Sequence, residues 1–301
     1  MRRTLVTLLL AALGVTALAG CGGGGSGGGK TLVVGSKNFT ENIIMGEMLA
    51  QLIEAKTNYK VERKLNLGGT DVNFKGLKSG DLDLYLDYDG TAYAFHLGMK
   101  DPITDPTKVY DLVNERLQKE LGMKFTKPLG FNNTYTLALP KELAEKHNVK
   151  TYSDLARVSD QFVLGVEHEF LNREQDGWPG LQKAYPFKFK KVVPMDTGLK
   201  YKAIEQGEVQ VINAFATDGM LKKFNLVILE DDKHFFPPYN AAPLVRLDTL
   251  KEFPELENVL NLLAGKISDA EMQELNYLVD SEGKSEAEVA RDYLKQKGLI
   301  D

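Results

Sequence analysis

In the stretch DLDLYLDYDGT, residues 81–91, Leu82, Leu84 and Leu86 alternate with Asp83, Tyr85 and Asp87. A period of two marks a strand, and this one runs out on Tyr88, Asp89, Gly90 and Thr91. Upstream, KTLVVGS (30–36) reads as a short buried strand ended by Gly35. FTENIIMGEMLAQLIEAKT (39–57) carries Ile43, Ile44, Met48, Leu49, Leu52 and Ile53 at helical spacing, with Thr40 expected as N-cap. YKVERKLNL (59–67) alternates as a strand, and GGTDVNFKGLKSG (68–80) predicts a helix stopped at Gly80. Strand–helix–strand–helix–strand order implies an α/β sheet with crossover connections.

The pattern then repeats. DPTKVYDLVNERLQKEL (105–121) predicts a helix with proline at its start, and FNNTYTLALP (131–140) a strand. Two short helices follow, then the strand QFVLGVEHEF (161–170), the strand FKKVVPMD, the helix TGLKYKAIEQGE and the strand VQVINAFATDG. Residues from about 140 to 240 thus form a second α/β unit much like the first, and the tail after 248 reads as helical. No short-period repeat is present. The fold class expected is α/β, in two lobes joined by hinge strands across an interlobe cleft. Lobe 1 is assigned to 31–136 plus 242–301 and lobe 2 to 137–241.

Composition changes this picture little. Of 301 residues 43% are hydrophobic and 26% charged, which suits a globular chain. The net charge of −5 makes nucleic acid an unsuitable partner. The N-terminus adds more. Arg2 and Arg3, the apolar run Leu5–Ala19 and small residues read as a secretory signal over 1–20. LAGC at Leu18–Cys21 has the form of a lipobox, so Cys21, the only cysteine, is expected to be lipidated and to hold the chain at a membrane. CGGGGSGGGK (21–30) is then a flexible tether, with a span of roughly 15–20 Å.

A tethered two-lobed chain outside the membrane describes a solute-binding protein, and in open α/β sheets ligands sit beyond the carboxyl ends of strands. Those ends offer Ser36 and Lys37; Tyr88 and Thr91; Asn132, Asn133 and Tyr135; Arg173 and Trp178; Phe215, Thr217 and Asp218; and Phe236, Tyr239 and Asn240. Aromatic faces attract a cation, each worth about 0.5–2 kcal/mol. A quaternary ammonium donates no hydrogen bond, so ring faces are the physical means of holding it. Lys37, Arg173 and the Thr91 hydroxyl would hold an anionic group at the other end, the arginine fork fitting a carboxylate. A ligand cationic at one end and anionic at the other is a betaine.

GSKNFTE, YDGT, GFNNTY, the DG after a short aromatic strand, and FFPPYN together resemble the glycine betaine/carnitine/choline-binding proteins of osmoprotectant ABC importers. The resemblance implies an aromatic box of Tyr88, Tyr135, Phe215 and Tyr239, with Phe215 standing where the family usually has tyrosine. It implies carboxylate contacts at Lys37, Thr91 and Arg173, backbone contacts near Asn133, and delivery to a permease and its ATPase by a monomeric receptor without cofactor. Gly90 is expected to permit a tight turn presenting Tyr88 and Thr91. Asp81, Asp83 and Asp87 are expected to be solvated or capping, with Asp87 and Asp89 adding a mild negative potential.

Two other readings stay open. A receptor for polar amino acids would need a carboxylate for a primary ammonium, and Asp218 could serve. A secreted enzyme would need a nucleophile or base with an orienting partner, and no such set is readable. The acidic stretch lacks calcium-loop spacing, and His168 stands outside any zinc-protease motif. Tyr201 is expected to be packing, Trp178 to back the site, and Arg173 to have Asp176 or Glu174 as rival ion-pair partners.

Overall fold

The computed structural model describes residues 31–99, 106–174 and 176–301. The expected signal, Cys21 and the glycine tether lie outside them. Among the described residues there are ten strands: β1 (Thr31–Gly35), β2 (Lys60–Lys64), β3 (Leu84–Tyr88), β4 (Met123–Phe125), β5 (Tyr135–Pro140), β6 (Val163–Glu167), β7 (Lys191–Met195), β8 (Val211–Phe215), β9 (Leu226–Ile228) and β10 (Ala241–Arg246). They make two five-stranded sheets, ordered β2-β1-β3-β10-β4 and β7-β6-β8-β5-β9.

The two sheets share one plan. In each, three strands joined by helical crossovers run parallel, β1 with β2 and β3, and β6 with β7 and β8. A fourth strand then enters antiparallel from the other half of the chain, β10 beside β3 and β5 beside β8. The proposed lobe boundaries fall within two residues of the starts of β5 and β10.

β3 is buried along its whole length. Leu84 and Leu86 belong to the cluster that takes in helix Thr40–Lys56, while Tyr85 packs with Leu77, Val109 and Phe125 on the opposite side. Helices cover both faces of this strand, as parallel sheets require, so the alternation in residues 81–88 does not separate core from water. Asp87 is fully buried and Asp83 nearly so, correcting the expectation that both are solvated or capping. Asp83 accepts from the Val33 backbone N–H at 2.8 Å and the Thr249 hydroxyl at 2.8 Å.

Other differences have local causes. Thr40 is the first residue of its helix and not its cap; its hydroxyl donates to Asp280 at 2.5 Å, and the capping position is Phe39. Gly80 does stop helix Thr70–Ser79, in the left-handed region at φ 86°. The strand read over 161–170 ends at Glu167, and His168–Asn172 is a helical turn. β10 was not predicted, because Pro243 lies mid-strand and proline lacks a ladder donor. In the tail, helices Asp269–Asp280 and Glu286–Gln296 pack on helix Thr40–Lys56. Both open on serine caps, Ser268 and Ser285.

Candidate functional site

Pairing register brings the predicted rings to one edge of each sheet. Tyr135 lies opposite Phe215, and Ala241 opposite Tyr88. Tyr239, two residues before β10, therefore falls over the turn that follows β3. That turn is helical, Asp89–Thr91, and Gly90 is not among the residues with positive φ. The expected tight turn is absent, and glycine is required for a different reason. A Cβ there would sit 2.4 Å from the Pro238 carbonyl and 2.9 Å from the Tyr239 ring.

Tyr135 is the hub of the rings. Its centroid lies 4.7 Å from Phe215, 5.1 Å from Phe170, 5.9 Å from Phe236 and 6.0 Å from Tyr239, the last edge-on at 90°. Tyr88 joins them through Asn133. The Asn133 backbone N–H donates to the Tyr239 carbonyl at 3.1 Å, and its side-chain amide reaches the Tyr88 hydroxyl at 3.4 Å. Burial raises the hydroxyl pKa of Tyr88, Tyr135 and Tyr239, so all three rings stay neutral.

The cations are not free. Lys37 is buried and its ammonium donates to Asp87 at 2.6 Å. Asp87 also accepts from the Tyr85 hydroxyl at 2.6 Å and has His96 Nε2 at 2.7 Å. Burial alone would raise the Asp87 pKa; the charge of Lys37 and the bonds from His96 and Lys37 overcome it and hold the carboxyl below its usual range. Lys37 Nζ lies 5.1 Å from the Tyr88 ring centroid. Its ammonium is therefore ion-paired beside the Tyr88 ring. Arg173 is paired with Asp176 through Nε at 2.8 Å and through Nη2, and with Glu169 through Nη1 at 3.0 Å. Asp176 in turn accepts from the Tyr239 hydroxyl. Of the predicted carboxylate set, Thr91 is buried in the turn after β3.

The second unit repeats the device. Lys200 is wholly buried, pairs with Glu167 and lies 3.7 Å from Asp218, with its ammonium 5.4 Å from the Phe215 centroid. Asp218 accepts from the Tyr201 hydroxyl and the Phe215 backbone N–H. It is committed within its own unit, which leaves little for a ligand's primary ammonium. Tyr201 also stacks on Phe224, and Trp178 packs with Phe187 and Phe189.

Glu41 was missed. It is buried at the start of helix Thr40–Lys56, where an acid ordinarily faces water and the helix dipole. Its carboxyl accepts from the Tyr88 hydroxyl and the Asn133 amide, both at 2.6 Å, and from the Asn276 amide at 3.3 Å, and Thr217 also bonds to it. Burial raises its pKa against all four bonds. Tyr88 ends β3 of one sheet and Thr217 follows β8 of the other, so Glu41 joins the two units at the ring cluster.

Asp89 is the other perturbed acid. Its carboxyl accepts from the backbone N–H groups of Gly90 at 2.8 Å and Asn240 at 2.7 Å, and from the Asn240 amide at 2.8 Å. Burial nevertheless pushes its pKa up to about 7. An acid raised on folding stabilises fully below its unfolded value near 4 and loses that contribution as pH rises through about 7. The melting temperature should therefore fall by a few degrees from pH 5 to pH 8. Asp89→Asn, which keeps the acceptor for both backbone N–H groups, should flatten that slope; equal slopes in the two proteins would refute the assignment.

Among the described residues no group of three His, Cys, Asp or Glu side chains could hold a metal ion. No described helix is long and apolar enough to cross a membrane.

Comparison with known proteins gives the family of the chain. The family model described as the substrate binding domain of ABC-type glycine betaine transport systems matches residues 30–296. The chain is 41% identical over 271 residues to the ergothioneine transport permease/ergothioneine binding protein EgtU of Helicobacter pylori, covering 90% of this chain but 48%, about half, of that longer protein. It is 37% identical to the carnitine transport binding protein OpuCC of Listeria monocytogenes, over 94% of this chain and 93% of the relative. A crystal structure titled glycine betaine/carnitine/choline ABC transporter superposes with a TM-score of 0.81 at 36% identity, covering 91% of this chain and all of that one. The chain is an extracytoplasmic solute-binding component and not an enzyme, and it belongs to the family of substrate-binding domains of ABC-type glycine betaine transport systems.

Proposed function

We propose that this protein captures a quaternary-ammonium compatible solute (glycine betaine, carnitine, proline betaine or choline) and delivers it to an ABC permease and its ATPase for osmoprotection. In this reading Tyr88, Tyr135, Phe215 and Tyr239 enclose the methylated nitrogen, while Thr91 and Arg173 meet the carboxylate. Lys37 acts through the Tyr88 ring it braces, and the backbone near Asn133 lies beside the cation. Lipidation at Cys21 ties a monomeric receptor to the membrane. The observation that carries the reading is the convergence of Phe215, Phe170, Phe236 and Tyr239 on Tyr135 at the strand ends. Neutral rings with no ionised oxygen of their own suit a cation that cannot donate a hydrogen bond.

Calorimetry with these four solutes, ergothioneine and free amino acids tests it. Ergothioneine belongs in the panel because it names the Helicobacter pylori relative and is itself a betaine. At least one betaine should bind at micromolar concentration, with glycine betaine above choline if Arg173 and Thr91 meet a carboxylate. Tyr239→Ala and Tyr88→Ala should each weaken binding by about 1–3 kcal/mol, from lost ring area and cation–π contact. Binding of amino acids alone would overturn the reading.

A further inference from the structure

Phe95 is 54% exposed, an unusual place for a large apolar ring. Its centroid lies 4.9 Å from the guanidinium carbon of Arg173, and the Tyr135 centroid lies 5.5 Å from the same carbon. Nε, Nη1 and Nη2 of Arg173 each donate one N–H to Asp176 or Glu169. Both rings lie within cation–π range of the guanidinium carbon.

The two partners come from different units. Phe95 lies in a π-turn, Ala92–His96, that continues the turn after β3. Arg173 follows the helical turn His168–Asn172 after β6. π-turns are rare and concentrate at functional sites. The neighbouring His96 fixes this one: its ring stacks on Phe74 at 3.7 Å and its Nε2 lies 2.7 Å from Asp87. The backbone carrying Phe95 is thus tied to β3, while the ring itself reaches across to the other unit. A contact between units exists only while they are closed on each other.

We propose that Phe95 is a positioning residue for closure: its cation–π clasp on Arg173 holds the two units together and slows release of the bound solute. This rests on the reading of a ligand cleft between the units. Removing the ring leaves the rest of the cleft unchanged, so the dissociation rate should respond and the association rate should not.

Stopped-flow kinetics with the tightest solute of the panel tests this. Phe95→Ala should raise the dissociation rate about 3- to 10-fold, the range expected of a partly exposed cation–π contact, and change association less than twofold. Phe95→Trp should restore slow release, whereas Phe95→Leu, apolar but without a π face, should not. A second measurement needs no ligand. Spin labels at Lys75→Cys and Lys202→Cys, in a Cys21→Ser background, report the separation of the units, and Phe95→Ala should shift the distribution to longer distances. If no solute binds the unaltered protein, the functional reading fails while these distances still judge the clasp. Unchanged release and unchanged distances in Phe95→Ala, or Phe95→Leu behaving like the parent, would overturn it.

Discussion

Replacing Gly219 by alanine should weaken solute binding by about 10- to 100-fold while leaving both sheets folded. A Cβ at Gly219 would stand 2.3 Å from the Tyr277 backbone nitrogen, 2.7 Å from its Cα and 2.8 Å from the Asn276 carbonyl carbon. These atoms belong to helix Asp269–Asp280, which packs on helix Thr40–Lys56 of the first unit. Gly219 follows β8 of the second. Backbone meets backbone here, and no side chain can rotate away. The contact is also held in place: the Asn276 amide donates to the Thr217 carbonyl at 2.9 Å and the Gln273 amide to the Ala216 carbonyl at 2.6 Å. An added methyl forces the units apart, and with them Glu41 from Thr217. Gly198→Ala is the control, since nothing lies within 4 Å of a Cβ there. Calorimetry with the preferred solute and small-angle scattering read the two consequences. Affinity within threefold of the parent at an unchanged radius of gyration would show that the contact plays no part in closure.

The residues that set this arrangement differ in how far the sequence discloses them. The rings are legible because strand ends share an edge, and pairing register then brings Tyr135 to Phe215 and Tyr239 onto Gly90. The state of the charges is not. Lys37 and Asp87 are fifty positions apart, and each alone reads as a solvated group; their pairing depends on β1 and β3 lying side by side. The clue was present in β3 itself. β3 is reached by a helical crossover and covered by helices on both faces, so an acid on either face must find a partner. Arg173 lies close to Asp176 in sequence, and that pair was visible as a rival to ligand contact. Glu41 was hidden by its position, where an acid in a first helical turn needs no explanation. Phe95 was hidden by the loss of any clear period after Thr91.

Asp87→Asn should lower stability by about 3–5 kcal/mol, out of the 5–15 kcal/mol typical of a folded protein. The substitution keeps the shape but leaves the Lys37 ammonium buried without a counter-charge, and it presents an amide to donors that need an acceptor. A fall in melting temperature of about 10 °C should result. Lys37→Met should cost less, because Tyr85, His96 and the Tyr88 backbone N–H still bond to the remaining carboxylate. Lys37→Met combined with Asp87→Asn should recover part of the loss, since it removes both charges together. The pH dependence has a defined sign. Folding lowers the Asp87 pKa, so its contribution is whole above the unfolded value near 4 and fades as pH drops below that. The gap between parent and Asp87→Asn should accordingly narrow below pH 4. The same variants separate the two roles open to Lys37. A direct contact to a solute carboxylate would make Lys37→Met lose glycine betaine far more than choline at nearly full stability. A brace for Tyr88 would make it lose both solutes alike and melt earlier, the outcome expected from an ammonium held 2.6 Å from Asp87 and 5.1 Å from the Tyr88 ring.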